Sequence, residues 1–270
     1  MFILSLFIIG YHVQLGVFHI NINEVLLILL TGLVAGFINS IAGGGSVLTL
    51  PLLIFMGLPS GVANGTNRVS ILFQALGSAF NYHRLGVGEM AWVRLLFLPT
   101  IAGSLIGVQL ALISGDLVFN RILALLMVVV LFLIVFSKPK DPDRMIPYQE
   151  ISRNRKLVCV FLFFLIGIYG GFIQAGAGFV MLLVLTRVAR VNLHQANFIK
   201  LAIVAVYTVL ALAIFAQSGK VSWGIGSVLA VGMVVGGYLG SKTAVKRGPV
   251  FVKWVIAVAI ICFSVKLLLF

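Results

Sequence analysis

The chain has 270 residues, of which 61% are hydrophobic and only 9% charged, against roughly 25% charged in a soluble domain. Apolar stretches recur along its whole length, which excludes a water-soluble enzyme or binding module and predicts an all-α, polytopic integral membrane protein in a lipid bilayer. The formal net charge of +13 would suit nucleic acid, but the basic residues cluster at the ends of the apolar runs, where membrane topology places them, so no nucleic-acid partner is expected.

Residues 1–23 form an N-terminal segment, and residues 1–20 within it read as an interfacial or an extra helix. No basic stretch precedes their apolar run and no small-residue cleavage site follows, which argues against a cleaved signal peptide. A first membrane repeat, 24–137, holds apolar segments at 24–41, 46–57, 63–83, 90–113 and 117–137. The stretch 138–155, rich in proline and acidic residues, is the linker. A second repeat, 156–270, holds segments at 156–174, 178–189, 195–217, 222–242 and 249–269. Cys159 and Cys262 lie inside apolar runs and read as buried free thiols.

The second and seventh segments, about 12 residues each, are too short to cross about 30 Å of hydrocarbon at 1.5 Å per residue. Each follows a polar, glycine-rich break, Ile38-Asn39-Ser40-Ile41-Ala42-Gly43-Gly44-Gly45-Ser46 in the first half and Ile173-Gln174-Ala175-Gly176-Ala177-Gly178-Phe179 in the second. Glycine costs about 1 kcal/mol per residue in a helix relative to alanine, and unwound backbone in hydrocarbon survives only where it is buried in protein or lines a cavity. The halves also align: 32–39 with 167–174 at an offset of 135, and Ala63-Asn64 with Ala196-Asn197 at 133. Gly103 and Gly107 align with Gly236 and Gly240, also at 133; these glycines read as close helix packing.

With the linker cytoplasmic, 14 basic residues fall on the cytoplasmic side and 3 on the other, with Arg68 and Lys200 set aside. This fits the positive-inside rule if each half crosses an odd number of times, by broken or re-entrant helices. Two inverted repeats of about five segments follow, the plan of many secondary transporters, in which paired glycine-interrupted segments mark the binding site.

Arg68 and Lys200 sit at nearly matching depths inside the third and eighth segments. A charge at mid-membrane costs at least about 2.5–3.5 kcal/mol and is usually functional, although Lys200 could snorkel to the surface. Asn64, Thr66, Asn67 and Ser70 surround Arg68; helix-start capping is the bland alternative. All six acidic residues lie in loops or at span ends. Cationic donors without a midplane carboxylate favour an anion. The candidate donors are Asn39, Gly43, Gly44, Gly45, Thr66, Asn67, Arg68, Gln174, Gly176, Gly178 and Lys200. An anion is driven outward by about 2.3 kcal/mol per charge per 100 mV, so export would need no coupling ion. No ATPase signature, metal-ligand spacing or catalytic cluster is visible, so the chain reads as no enzyme and without cofactor or metal. A cation- or metal-linked permease and a non-transporting scaffold are the alternatives. The sequence is compatible with a homo-oligomer.

Gly32–Leu53 and Gly61–Arg68, written GLVAGFINSIAGGGSVLTLPLL and GVANGTNR, resemble the sulfite exporter TauE/SafE family, also called the 4-toluene sulfonate uptake permease family. The second half, with GFIQAGAGFVMLLVL and HQANFIK, is similar to that family's degenerate repeat. The resemblance covers about residues 24–269. It implies a plasma-membrane carrier of sulfite, sulfonates, sulfoacetate, thiosulfate or similar sulfur oxyanions, in which Asn39–Ser46 and Asn64–Arg68 matter.

Overall fold

The computed structural model describes residues 12–15, 18–136 and 147–247. The segment expected at 249–269 and most of the linker lie outside them.

Strands β1 (His12–Leu15) and β2 (Phe18–Asn21) pair antiparallel, with His12 opposite Asn21. This part of the N-terminal segment is therefore a hairpin, not the helix the sequence suggested. Its residues alternate polar and apolar, the period of a strand. Asn21 then opens helix α1 (Ile22–Ala42) through a capping box with Glu24, which fills two of the helix's free backbone donors.

The rest is helical: α2 (Ser46–Phe55), α3 (Ser60–Arg84), α4 (Met90–Ile113), α5 (Asp116–Phe136), α6 (Arg153–Phe172), α7 (Ala177–Arg187), α8 (Leu193–Gln217) and α9 (Trp223–Arg247). Helix α6 begins at Arg153, ahead of the expected 156, because Ser152 caps it. Among the described residues five helices (α1, α4, α6, α8 and α9) are long and apolar enough to cross a membrane. Large apolar side chains such as Leu30, Phe80, Leu98 and Phe161 face outward, as lipid contact requires, while α3 and α8 supply most of the buried polar groups.

Two close glycine seams hold the bundle. Helix α1 packs on α9, with Gly32 against Gly232 and Gly236 against Phe37; helix α4 packs on α6, with Gly103 against Gly167 and Gly107 against Phe172. Gly103 and Gly107 meet the backbone of residues 164–172 as Gly232 and Gly236 meet that of 29–37. The glycines are thus in contact as the sequence suggested, but the equivalence of α4 with α9 is one turn from the expected Gly236/Gly240. A slide of four residues is nearly one helical turn and keeps the same face. The ladder Gly232, Gly236, Gly240 therefore admits either register.

Side-chain contacts also sort the helix ends. Helices α3 and α8 run antiparallel: His83 stacks on Phe198 at 6.1 Å between centroids, while Arg68 lies over Phe215 at 4.9 Å. At one end of the bundle Trp92 meets Tyr148 edge-on, and the Lys156 ammonium lies 4.1 Å over the Tyr148 ring. At the other end Lys220 donates to the Leu112 carbonyl at 3.1 Å, and the Asp116 carboxylate accepts from the Ser60 N–H at 3.1 Å. Helix α1 climbs α9 in parallel and α3 climbs it too, so α2 returns the chain toward the end from which α1 set out.

Candidate functional site

Each break is made by backbone that only a few residues accept. Helix α1 stops at Gly43, whose φ of 81° is left-handed and whose N–H returns to the Asn39 carbonyl at 3.1 Å. Helix α6 stops at Phe172; Gln174 follows at φ 66° and Gly176 at φ 79°. A non-glycine residue with positive φ is uncommon, and here two hydroxyls fix it. The Gln174 amide donates to Thr208 Oγ1 at 2.9 Å and to the Tyr207 hydroxyl at 3.2 Å. Tyr169 donates its hydroxyl to the Ala175 carbonyl within the same turn.

The two breaks touch. A Cβ built on Gly43 would lie 2.7 Å from the Gly178 carbonyl oxygen, and one on Gly178 would lie 2.9 Å from the Gly43 Cα. Nothing larger than hydrogen fits at either position. The contact brings the starts of α2 and α7 together. Among the described residues, no acceptor takes the N–H groups of Gly44, Gly45 and Ser46, or those of Gly176 and Gly178. Helix N-termini carry about half a positive charge and free donors.

The opposite ends of the broken helices are closed by the other half of the chain. Three carbonyls in the last turn of α6 take donors from α3. Arg68 Nη2 donates to Gly171 at 2.5 Å and to Gly170 at 3.2 Å, and Asn64 Nδ2 donates to Phe172 at 2.7 Å. Lys200, on α8, donates to the Asn39 carbonyl at the end of α1 at 2.8 Å, and to Asn197 Oδ1 at 2.8 Å. Arg68 is 0% exposed and Lys200 1%, so Lys200 does not snorkel. No Asp or Glu is among the buried residues described.

The remaining candidates join the same network at different points. Asn39 donates its amide to Gln74 Oε1 at 2.6 Å. Asn67 Oδ1 accepts from Thr49 at 2.7 Å, and its Nδ2 has no partner. Thr66 is turned away from the breaks and accepts the Ser222 N–H at 2.9 Å. Helix α3 starts after Pro59 without a side-chain cap, so its Asn and Thr residues do not cap the helix start. Arg68 Nε and Nη1, Asn67 Nδ2 and Gln174 Oε1 are buried polar atoms without a partner. Sequence reasoning passed over Gln74, Tyr207 and Thr208. Gln74 and Tyr207 lie at the repeat offset of 133 and bond the amides of Asn39 and Gln174, and that correspondence was the available signal.

Comparison with known proteins agrees with this architecture. The chain is 26% identical over 251 residues to a probable membrane transporter protein of Haemophilus influenzae, covering 92% of this chain and 96% of that one. It is 28% identical over 242 residues to the probable membrane transporter protein YfcA of Escherichia coli K12, covering 87% and 86%. It is 29% identical over 236 residues to the probable membrane transporter protein ORF9 of a Sinorhizobium species, covering 87% and 88%. No solved structure matches. The profile of the family described as sulfite exporter TauE/SafE matches residues 28–267, and the chain belongs to that family of multi-pass membrane transporters.

Proposed function

We propose that this transporter carries a small sulfur-containing oxyanion, such as sulfite, thiosulfate or a sulfonate, across the plasma membrane. The substrate would sit where the two inverted repeats bring their breaks together. One observation carries the reading: the starts of α2 and α7 meet at the Gly43–Gly178 contact with free N–H donors. Arg68 holds the Gly170 and Gly171 carbonyls at the end of α6, and Lys200 places its ammonium on the Asn39 carbonyl in the last turn of α1. With a cation on these carbonyls, the field at the junction is that of two helix N-termini, which attract anions. Arg68 Nε and Nη1 and Asn67 Nδ2 supply further unpaired donors. A sulfonate or sulfite group presents three oxygens to such donors.

The test is flux into proteoliposomes of the purified protein, with sulfite, thiosulfate, sulfoacetate and an aromatic sulfonate offered separately. Saturable flux of at least one is the expected outcome. Saturable uptake of a metal or alkali cation without any of these anions would select the cation-linked alternative. No flux of either kind would select a scaffold.

A further inference from the structure

Many carriers with broken helices place a sodium ion on the C-terminal carbonyls of a half-helix. In this chain that position, at the end of α1, is held by a side chain. The Lys200 ammonium lies 2.8 Å from the Asn39 carbonyl oxygen and 2.8 Å from Asn197 Oδ1. Both acceptors are neutral oxygens of the kind that bind hard cations. The residue is 1% exposed, and its hydrogen-bond partners include no carboxylate. The matching end of α6 is treated in the same way, by Arg68 Nη2 on the Gly170 and Gly171 carbonyls. Each half thus lends one cation to the other half's broken helix.

An ion pair would be the usual way to hold a buried lysine, because a buried charge needs a partner. Here the partners are the Asn39 carbonyl in the last turn of α1, which also accepts the Gly43 N–H at 3.1 Å, and an amide oxygen, two oxygens of the type a bound metal ion would take. Helix C-termini stabilise cations, and two of the three ammonium protons are directed at oxygens. We propose that Lys200 is a tethered counter-cation standing in the place of a coupling ion, so that the transport cycle takes no sodium. The inference rests on the chain being a transporter and on this helix end, and not on which solute it carries.

The experiment is a thermal-unfolding titration of the purified full-length protein with sodium, potassium and ammonium chloride. Choline chloride holds the ionic strength constant. The wild type should show no cation-specific shift. Lys200→Ala removes the ammonium but leaves the Asn39 carbonyl and Asn197 in place. It should unfold at a lower temperature and regain stability in a saturable way with a small cation. At about a hundredfold excess over the dissociation constant the gain should be on the order of 5–10 °C. Choline, too large for the site, should not substitute.

A saturable, sodium-specific stabilisation of the wild type would overturn the proposal, and that measurement does not depend on any variant folding. An Ala variant that folds but responds equally to choline and sodium would overturn it too. Should Lys200→Ala not fold, Lys200→Val shortens the stem, removes the charge and leaves the place of the ammonium open. Failure of that variant to gain stability from ammonium would count against the proposal. Chloride is constant in all of these readouts and no sulfur oxyanion is added, so a failed anion assignment and a failed counter-cation are told apart.

Discussion

At the scale of single residues, Arg68 carries two loads that a mutant series can separate. Its Nη2 holds two carbonyls at the end of α6, while Nε and Nη1 remain without partners. The free pair does not form one fork, because the two nitrogens lie on different edges of the guanidinium plane. Bidentate capture of an oxyanion by either edge would draw Nη2 away from α6. Arg68→Ala leaves the Gly170 and Gly171 carbonyls buried without their donor, costing on the order of 1–3 kcal/mol. It also removes a charge-assisted donor of about 1.5–3 kcal/mol, or roughly 10- to 100-fold in anion affinity. Arg68→Lys should recover much of the stability, since an ammonium can serve a carbonyl, and little of the affinity, since it lacks the planar fork. Thermal unfolding beside calorimetry with a transported anion reads both. Full affinity in Arg68→Ala would remove Arg68 from the site and leave it as a cap of α6. The buried charges stood out in the sequence because Arg68 adjoins Asn64, Thr66, Asn67 and Ser70, and Lys200 lies at nearly the same point of the matching segment. Their partners were not, because a carbonyl at the end of a helix 102 residues away has no sequence signature.

Among the elements, the seams α1–α9 and α4–α6 decide how closely the halves approach. Membrane helices lack a strong hydrophobic drive toward each other and rely on close packing of small residues. A Cβ at Gly107 would lie 2.7 Å from the Phe172 nitrogen, and one at Gly36 would lie 2.7 Å from the Met233 Cα. Both neighbours are backbone and cannot rotate aside. Gly107→Ala and Gly36→Ala should therefore each cost about 1–3 kcal/mol, the range for overpacking. Gly115, with nothing within 4 Å of its would-be Cβ, should accept alanine with no loss. Urea or thermal unfolding of the three variants in one detergent checks the contrast; alanine is the better helix former by about 1 kcal/mol, so no loss at Gly36 and Gly107 would show that the seam does not limit them. The helices themselves were legible: runs of apolar residues between glycine, proline and polar breaks gave each described membrane helix to within a few residues. The register of the seam was not, since a four-residue slide leaves the same face buried. The β1–β2 hairpin was missed because a short greasy stretch at a chain start reads as helix or strand alike.

For the whole molecule, the contacts that sort the helix ends also bear on orientation. The bundle end with Trp92, Tyr148 and Lys156 joins the starts of α4 and α6, where Arg94, Arg153 and Arg155 also lie. The other end, with Leu112, Asp116, Ser60 and Lys220, is poor in basic residues. The chain is therefore polarised by charge along one axis, and the bias of Lys and Arg toward the cytoplasm sets the direction of that axis. The expected outcome is a cytoplasmic linker and an external turn between α8 and α9. Single cysteines introduced by Pro142→Cys in the linker and Ser218→Cys in that turn, in a background lacking Cys159 and Cys262, test it. In intact cells a membrane-impermeant maleimide should modify position 218 and spare position 142, and permeabilisation should expose both. Labelling of position 142 in intact cells, with position 218 protected, would invert the molecule. The driving force on a bound anion at the junction would then act in the opposite direction relative to this chain, about 2.3 kcal/mol per charge per 100 mV.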